Sequence, residues 1–138
     1  MEQVCVGVDI GGTSVKLGIF TLSGTLLKKW EIPTEPKNEP KALIEKIGKS
    51  IKENLKEGGL SLTDCVGVGM GVPGPVMPNG YIEVVVNIGW KEIFPARILS
   101  DLLDGMPVAL GNDANVAALG EAWMGGAREK KDAVMVTL

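Results

Sequence analysis

The sequence predicts a mixed α/β domain with an antiparallel meander at one side of its sheet. Three successive segments near the N-terminus alternate apolar with other residues, which is the period of half-buried β-strands. Apolar residues next recur at helical spacing, and further strand-like and helix-like segments then follow one another. The predicted order of elements is therefore β-β-β-α-β-α-β-α.

The meander is predicted from two tight turns. Val4 to Val8 and Val15 to Ile19 alternate apolar and other residues on the two sides of Gly11-Gly12, which is the pattern of a β-hairpin. A further turn at Ser23-Gly24 leads into a third strand, Leu26 to Ile32. Sequential strands joined by such short turns pair as antiparallel neighbours.

A helix and a second set of segments follow the meander. Ile44, Ile47, Ile51 and Leu55 recur at helical spacing, and Gly58-Gly59 ends the pattern, which predicts a helix packed on the sheet. The remaining predicted segments are the buried strand Cys65 to Val72, the extended piece Tyr81 to Val86 after an Asn79-Gly80 turn, the helix Phe94 to Leu103, the short buried strand Pro107 to Leu110, a helix from about Asp113 to Met124 and a strand Ala133 to Leu138.

Composition limits the class of partner. The 138 residues match one domain of usual size, and 45% of them are apolar, as in globular proteins. The net charge of −3 gives no basic surface for nucleic acid, so small molecules are the expected partners. No segment is typical of a membrane span or a signal peptide, and a cytoplasmic location is expected. Cys5 and Cys65 are expected to be reduced core thiols, since the chain has no histidine and no paired cysteine motif.

The run Asp9 to Phe20 contains a turn suited to phosphate. Gly11 and Gly12 have no Cβ, so their N–H groups can approach a bound anion closely, and Thr13 adds a hydroxyl donor. Asp9 would repel a bare phosphate, so its useful partner is Mg²⁺, held through a water and carried with a nucleotide. The alternative is a tight hairpin with a solvated aspartate, which is the commoner use of such a short motif.

Four segments resemble, in the same order, motifs of the ROK family of bacterial repressors, uncharacterised reading frames and sugar kinases. They are Asp9 to Phe20, Gly69 to Val76, Asn87 to Trp90 and Asn112 to Glu121. Together they cover most of the chain. The resemblance implies the ribonuclease H-like lobe that the sugar kinase, actin and Hsp70 superfamily duplicates, and it implies phosphorylation of a hexose by ATP.

The resemblance also implies which residues hold the hexose. Asp113 is expected to act as the base that receives the proton of the attacking hydroxyl, and Asn112 and Asp113 to hydrogen-bond sugar hydroxyls. Gly71 would contribute backbone contact, and Asn87 would lie close to the same pocket. The position of Asp113 at a predicted strand-to-helix junction agrees with this role, because ligands gather at the carboxyl ends of strands. The alternative is that Asn112 or Asp113 only caps the helix, and both uses can hold together.

On the nucleotide side, the resemblance assigns Asp9, Gly11, Gly12, Thr13 and Lys16 to ATP, with Asp9 also serving Mg²⁺ through water. Lys16 matches a lysine of the family motif and could neutralise phosphate charge. As an alternating residue on a strand, it could equally point to solvent.

Two motifs of the sequence differ from the patterns that they resemble. Gly69, Gly71 and Gly74 match the dinucleotide fingerprint, but Pro73 and Pro75 prevent the helix that this fingerprint opens, so NAD is not expected. Where the family often has Glu before the Asn-Asp-Ala-Asn run, this chain has Gly111, which changes the local geometry without removing the Asn and Asp.

The expected reaction is glucose and MgATP to glucose 6-phosphate, because Val86 to Lys91 resembles the glucokinase branch most. An N-acetylhexosamine or fructose kinase is the alternative enzyme. A sugar-sensing ROK repressor is a further alternative, although such repressors carry a DNA-binding domain before the first strand, which here begins at residue 4. A sugar-binding domain without catalysis is the third, and the retention of Asp9 and Asp113 argues against it.

The resemblance predicts how the chain is divided. Residues 1–131 are expected to form the N-terminal kinase lobe, and residues 132–138 the first strand of a second lobe that continues beyond Leu138. The second phosphate loop and the zinc-binding motif of the family would lie in that second lobe. The unpaired final strand would expose an apolar edge, and a homo-oligomer is expected.

Overall fold

The computed structural model describes residues 3–112, and for Asn112 only the backbone. The predicted helix Asp113 to Met124 and the predicted strand Ala133 to Leu138 lie outside the described residues. The elements, in chain order, are β1 (Val4–Ile10), β2 (Ser14–Thr21), β3 (Leu26–Pro33), α1 (Pro40–Glu57), β4 (Cys65–Val72), β5 (Ile82–Val85), β6 (Trp90–Ile93), α2 (Pro95–Leu102) and β7 (Val108–Asn112).

The main sheet is mixed, as the sequence predicts. Its five strands stand in the order β3-β2-β1-β4-β7. The strands β1, β2 and β3 form the antiparallel meander, whereas β4 pairs parallel with β1 on one side and with β7 on the other. Glycine and valine alternate through β4, which is almost completely buried. The mixed α/β prediction and the predicted meander are therefore confirmed.

The core lies on the face of the sheet that α1 covers. One row of paired residues crosses this face from β3 to β7. A hydrogen bond joins this row to α1, because Trp30 Nε1 on β3 donates to Ser50 Oγ on the helix at 2.7 Å. The row consists of Trp30, Leu17, Val8, Met70 and Leu110. Burial of such apolar side chains, at about 1.5 to 3 kcal/mol each, is what holds helix and sheet together.

The helix α1 begins earlier than the apolar period indicates. Pro40 occupies its first turn, where a missing N–H costs nothing, and the buried face extends from Leu43 to Leu55. The second helix, α2, lies within the predicted segment Phe94 to Leu103, whose two end residues are its caps. The glycine run after α1 ends the helix as predicted, with the Gly58 N–H donating to carbonyls of the last turn.

A small second sheet, β5 with β6, is the main difference from the predicted order. The extended piece Tyr81 to Val86 corresponds to β5, but β6 was not predicted. Its pattern of buried ends around the exposed pair Lys91 and Glu92 is not the period-two alternation that identifies a strand. Glu92 also has a positive φ of 51°, which a strand residue rarely adopts. Residues 73–81 contain no helix, which agrees with the argument against a dinucleotide motif.

Gly89 closes the turn between the two short strands. Its φ is 68°, in the left-handed region, and a Cβ built there would overlap the side chain of Asn38. The Asn38 N–H also donates to Ile88 O at 3.4 Å, so the loop before α1 rests directly against this turn. Both the backbone conformation and the close contact therefore require glycine.

Gly89→Ala is predicted to destabilise the fold more than Gly59→Ala. Gly59 has a similar φ of 76°, but a Cβ at that position would meet nothing within 4 Å. The control variant should cost about 1 kcal/mol for its left-handed backbone alone. Gly89→Ala should cost at least about 1 kcal/mol more, because the Asn38 contact must also move. Urea unfolding followed by tryptophan fluorescence measures both values, and equal costs would contradict the proposed contact.

Candidate functional site

The carboxyl ends of three parallel strands meet at one edge of the main sheet. Asp9 on β1 lies opposite Gly71 on β4, and Gly71 lies opposite Gly111 on β7. Because neighbouring strands are about 4.8 Å apart, the Asp9 and Gly111 backbones are about 10 Å apart, with Gly71 between them. Asn112 follows Gly111 opposite Val72, and Asp113, next in sequence, lies outside the described residues. The register thus brings Asp9, Gly71 and the backbone of Asn112 to one edge.

Lys16 continues this row on the other side of Asp9. It is the antiparallel partner of Asp9, and its own partner on β3 is Glu31. Directly opposed residues place their Cβ atoms about 5 Å apart on one face of a sheet. Lys16 is exposed and Asp9 is half-buried, so two residues of opposite charge are neighbours on this face of the sheet.

The turn between β1 and β2 has an ordered base and an exposed tip. The Gly11 N–H donates to Ser14 O at 2.9 Å, while Gly12 and Thr13 are exposed. Two hydrogen bonds from the buried Thr34 hold the turn on its protein side. The Thr34 hydroxyl donates to Gly11 O at 2.8 Å, and the Thr34 N–H donates to Thr13 O at 3.0 Å. The tip therefore faces away from the protein on a fixed base.

The two glycines of this turn differ in their structural need. A Cβ at Gly11 would lie 2.9 Å from Ser14 O, so the turn itself excludes a side chain there. A Cβ at Gly12 would meet nothing within 4 Å among the described residues, and its φ lies outside the left-handed region. Packing explains the first glycine but not the second. A bare backbone at an open tip is what close approach of a ligand requires.

The turn and Asp9 fit a magnesium nucleotide in their chemistry. The N–H of the exposed Gly12 and the Thr13 hydroxyl are donors for phosphate oxygens, and the half-buried Asp9 carboxylate offers oxygen to the hydration shell of a hard cation. Within residues 3–112, no cluster of three or more His, Cys, Asp or Glu side chains could hold a metal ion.

Asn87 lies outside the sheet-edge row. It is exposed in a single turn of 3-10 helix, Val86–Ile88, which directly follows β5, in agreement with its predicted position at a strand end. Gly74, the third glycine of the apparent dinucleotide motif, is explained by packing, since a Cβ there would lie 3.0 Å from a methyl group of Val85.

Sequence reasoning missed Thr34. It lies in the proline-rich stretch after β3, where no periodicity marks a residue as buried. In the structure it is completely buried, one of two buried polar residues in the described part of the chain, together with Asp64. Asp64 accepts hydrogen bonds from the Ser61 N–H and hydroxyl in a capping box, a local role that the Ser-x-x-Asp spacing could have indicated.

The two cysteines lie in the neighbouring strands β1 and β4. Cys65 is buried and Cys5 is half-buried, and neither forms a disulfide. Burial raises the pKa of the Cys65 thiol, and its hydrogen bond to Gly67 O partly opposes the shift. In residues 3–112, none of the helices has the length and apolar character needed to cross a membrane.

Comparison with known proteins gives one consistent family. The ROK family profile matches residues 5–138. The glucokinase of Halalkalibacterium halodurans is 38% identical over 134 residues, which make up 96% of this chain and 40% of that protein. The xylose repressor of Caldicellulosiruptor bescii is 24% identical over 121 residues, 87% of this chain and 30% of the repressor.

A solved structure supports the same assignment. The crystal structure of a ROK family glucokinase from Streptomyces griseus, in complex with glucose and AMPPNP, superposes with a TM-score of 0.71 and 28% identity, over 91% of this chain and 38% of that one. Together with the strand order of the main sheet, this likeness confirms the ribonuclease H-like fold expected from the motifs. The chain spans about 40% of the length of the glucokinase relatives it matches.

Gly11→Ala is predicted to destabilise the fold, and Gly12→Ala to leave its stability unchanged. The Gly11 Cβ would press on a backbone oxygen that is itself hydrogen-bonded in the turn, at a cost of about 1 to 3 kcal/mol. The Gly12 Cβ enters open space, and its effect should stay within about 0.5 kcal/mol. Chemical denaturation of the two variants beside the unmodified chain tests the pair. A large loss of stability in Gly12→Ala would mean that this glycine has a structural role after all.

Proposed function

The chain belongs to the ROK family, and we propose that it is the N-terminal part of a kinase that transfers the γ-phosphate of ATP to a hexose, preferably glucose. The observation that carries this proposal is the register of β1, β4 and β7. It sets the phosphate-type turn after Asp9 and the backbone of Asn112 at strand ends about 10 Å apart, two strand spacings. The strand between them carries Gly71, which has no side chain, and we propose that the phosphoryl group and the attacking hydroxyl meet above it.

Each proposed residue has a role in phosphoryl transfer, which depends mainly on positioning and charge compensation. The Gly12 N–H and the Thr13 hydroxyl bind phosphate oxygens of ATP, and the Lys16 ammonium compensates their charge. The Gly11 N–H is already bonded to Ser14 O, so Gly11 serves ATP by shaping the turn and not as the predicted donor. Asp9 accepts hydrogen bonds from water around Mg²⁺. When bound with ATP, Mg²⁺ neutralises charge that develops on the phosphate oxygens.

The hexose side of the site is proposed around β4 and β7. Asn112 and Asp113 hold sugar hydroxyls, Gly71 offers its backbone, and Asn87 borders the pocket from the second sheet. Asp113 receives the proton of the hydroxyl that attacks the γ-phosphate. The ionised carboxylate is a weak base, which suffices in a loose transition state where the proton leaves late.

Glucose is proposed because the relative of highest identity named above is a glucokinase. A kinase for fructose or an N-acetylhexosamine is the alternative on the same scaffold. A regulator that binds sugar without catalysis is the second candidate, and the likeness to a xylose repressor favours it. Turnover separates these functions: a regulator would bind sugar and release no ADP.

We propose further that residues 1–131 form one lobe of the enzyme and that residues 132–138 begin a second. The share of its relatives that the chain spans supports this division. Kinases that close two lobes around their substrates complete the site only on closure, which also excludes water. The 138-residue chain alone is therefore expected to bind hexose weakly and to produce no sustained ADP.

Asp113→Asn in the full-length protein is predicted to reduce turnover at least about a hundredfold, which is the usual effect of losing a positioned base. Glucose binding should remain, because asparagine keeps the size and one oxygen of the side chain. Asp101→Asn is the matched control, since Asp101 is exposed on α2, and it should keep normal turnover. A coupled assay for ADP and a glucose titration measure the two properties. Near-normal kcat in Asp113→Asn would falsify the base assignment, and absence of glucose-dependent ADP from the unmodified protein would remove the kinase proposal.

Asp9→Ala and Gly12→Ala are predicted to weaken the use of MgATP while leaving glucose affinity nearly intact. The first variant removes the carboxylate that serves Mg²⁺, and the second places a methyl group where phosphate should approach. Glu45→Ala is the control and should change neither property, since Glu45 is exposed on α1. Kinetics at varied Mg²⁺ and ATP, with glucose affinity from tryptophan fluorescence, distinguish the effects. Loss of glucose binding with normal Mg²⁺ and ATP dependence would contradict the assignment.

A further inference from the structure

Thr34 stands out as a buried polar residue that the proposed reaction does not yet use. Its relative exposure is 0%, although it lies in the connection between β3 and α1. Both of its hydrogen bonds go to the turn between β1 and β2, to Gly11 O through the hydroxyl and to Thr13 O through the N–H. One residue thus holds the carbonyls on either side of Gly12.

The orientation of these carbonyls determines where the tip of the turn presents its donors. In a planar trans peptide, the C=O of one residue and the N–H of the next point in opposite directions. Since Gly11 O points at the Thr34 hydroxyl, the Gly12 N–H of the same peptide points away from Thr34. Within residues 3–112 this N–H donates no hydrogen bond to the protein. It is therefore a donor without an acceptor, aimed outward from a fixed base.

The loop that carries Thr34 is anchored at its other end as well. Asn38, four residues later, donates its N–H to Ile88 O and packs against Gly89 in the turn between β5 and β6. Thr34 consequently projects from a short segment that is held at both ends. A side chain on a segment held in this way can fix the orientation of the Gly11-Gly12 peptide. A side chain on a mobile loop could not, because it would move together with the peptide.

We propose that Thr34 is a positioning residue that sets the orientation of the Gly11-Gly12 peptide, so that the Gly12 N–H donates to a phosphate oxygen of the nucleotide. This role rests on the proposed kinase function for its ligand. The hydroxyl is the part of Thr34 that orients this peptide, because it is the group that donates to Gly11 O. The methyl group and the backbone N–H of Thr34 serve packing and the Thr13 contact.

Thr34→Val and Thr34→Ser in the full-length protein test this role. Valine keeps the shape and the backbone N–H but removes the hydroxyl donor, and serine keeps the hydroxyl. We expect Thr34→Val to weaken MgAMPPNP binding, measured by isothermal titration, roughly five- to tenfold, the loss of about one hydrogen bond. The KM for ATP should rise similarly, whereas glucose affinity should stay within about twofold of normal, since the hexose contacts are made elsewhere. Thr34→Ser should restore nucleotide affinity to within about twofold.

Amide hydrogen exchange in the unmodified protein supplies a readout that needs neither turnover nor a variant. Addition of MgAMPPNP should slow exchange at the Gly12 N–H, and in Thr34→Val this protection should be reduced. If Thr34→Val does not fold, Thr34→Ala, which also lacks the hydroxyl, takes its place beside Thr34→Ser. Unchanged nucleotide affinity in Thr34→Val, equal losses in the valine and serine variants, an equal loss of glucose affinity, or no protection at Gly12 would each overturn the proposal. If nucleotide binds and protects Gly12 but no hexose is phosphorylated, the kinase proposal fails while this role stands.

Discussion

The parallel register of β4 against β1 is the constraint on which the sheet-edge row depends. Val4 pairs with Cys65, but from Val6 onward the pairing shifts by one residue, so that Val6 meets Val68 and Asp9 meets Gly71. The extra residue lies in the segment Cys65 to Val68, where Cys65 Sγ also donates to Gly67 O at 3.3 Å. Without this irregularity the initial register would continue and bring Asp9 opposite Met70, a residue of the α1-covered core. A one-residue shift in pairing therefore decides whether Asp9 lies beside Gly71, which has no side chain, or beside the Met70 side chain.

The same register explains why the sequence predicted the elements better than the site. The alternation of valine with glycine was enough to predict the bounds of β4, Cys65 to Val72, because this pattern lies within the segment itself. The shift opposite Cys5 depends on two strands separated by more than 50 residues, so no local pattern can reveal it. The family motifs assigned Asp9 to the nucleotide and Gly71 to the hexose, but only the strand pairing places the two residues side by side.

Missed features share a second physical cause, which is that their environment comes from residues distant in sequence. The strand β6 is held by pairing with β5 and by its buried ends, while its central residues are charged and exposed. Thr34 is buried because the turn at Gly11 and Thr13 lies over it, although threonine between two prolines suggests an exposed loop. Local propensity cannot show such positions, since tertiary contacts override it there.

Some glycines of this chain are required by the fold, whereas Gly12 is explained only by a ligand. Gly11, Gly74 and Gly89 each abut protein atoms, Ser14 O, Val85 and Asn38 respectively, so folding alone requires them. Gly12 abuts nothing in the described part of the chain, although its neighbours on both sides are fixed by Thr34. A glycine at this open position brings no advantage for stability, because no described atom would exclude a side chain there. A glycine at this position is explained if a ligand must reach the backbone. We therefore attribute Gly12 to the proposed nucleotide binding and not to folding.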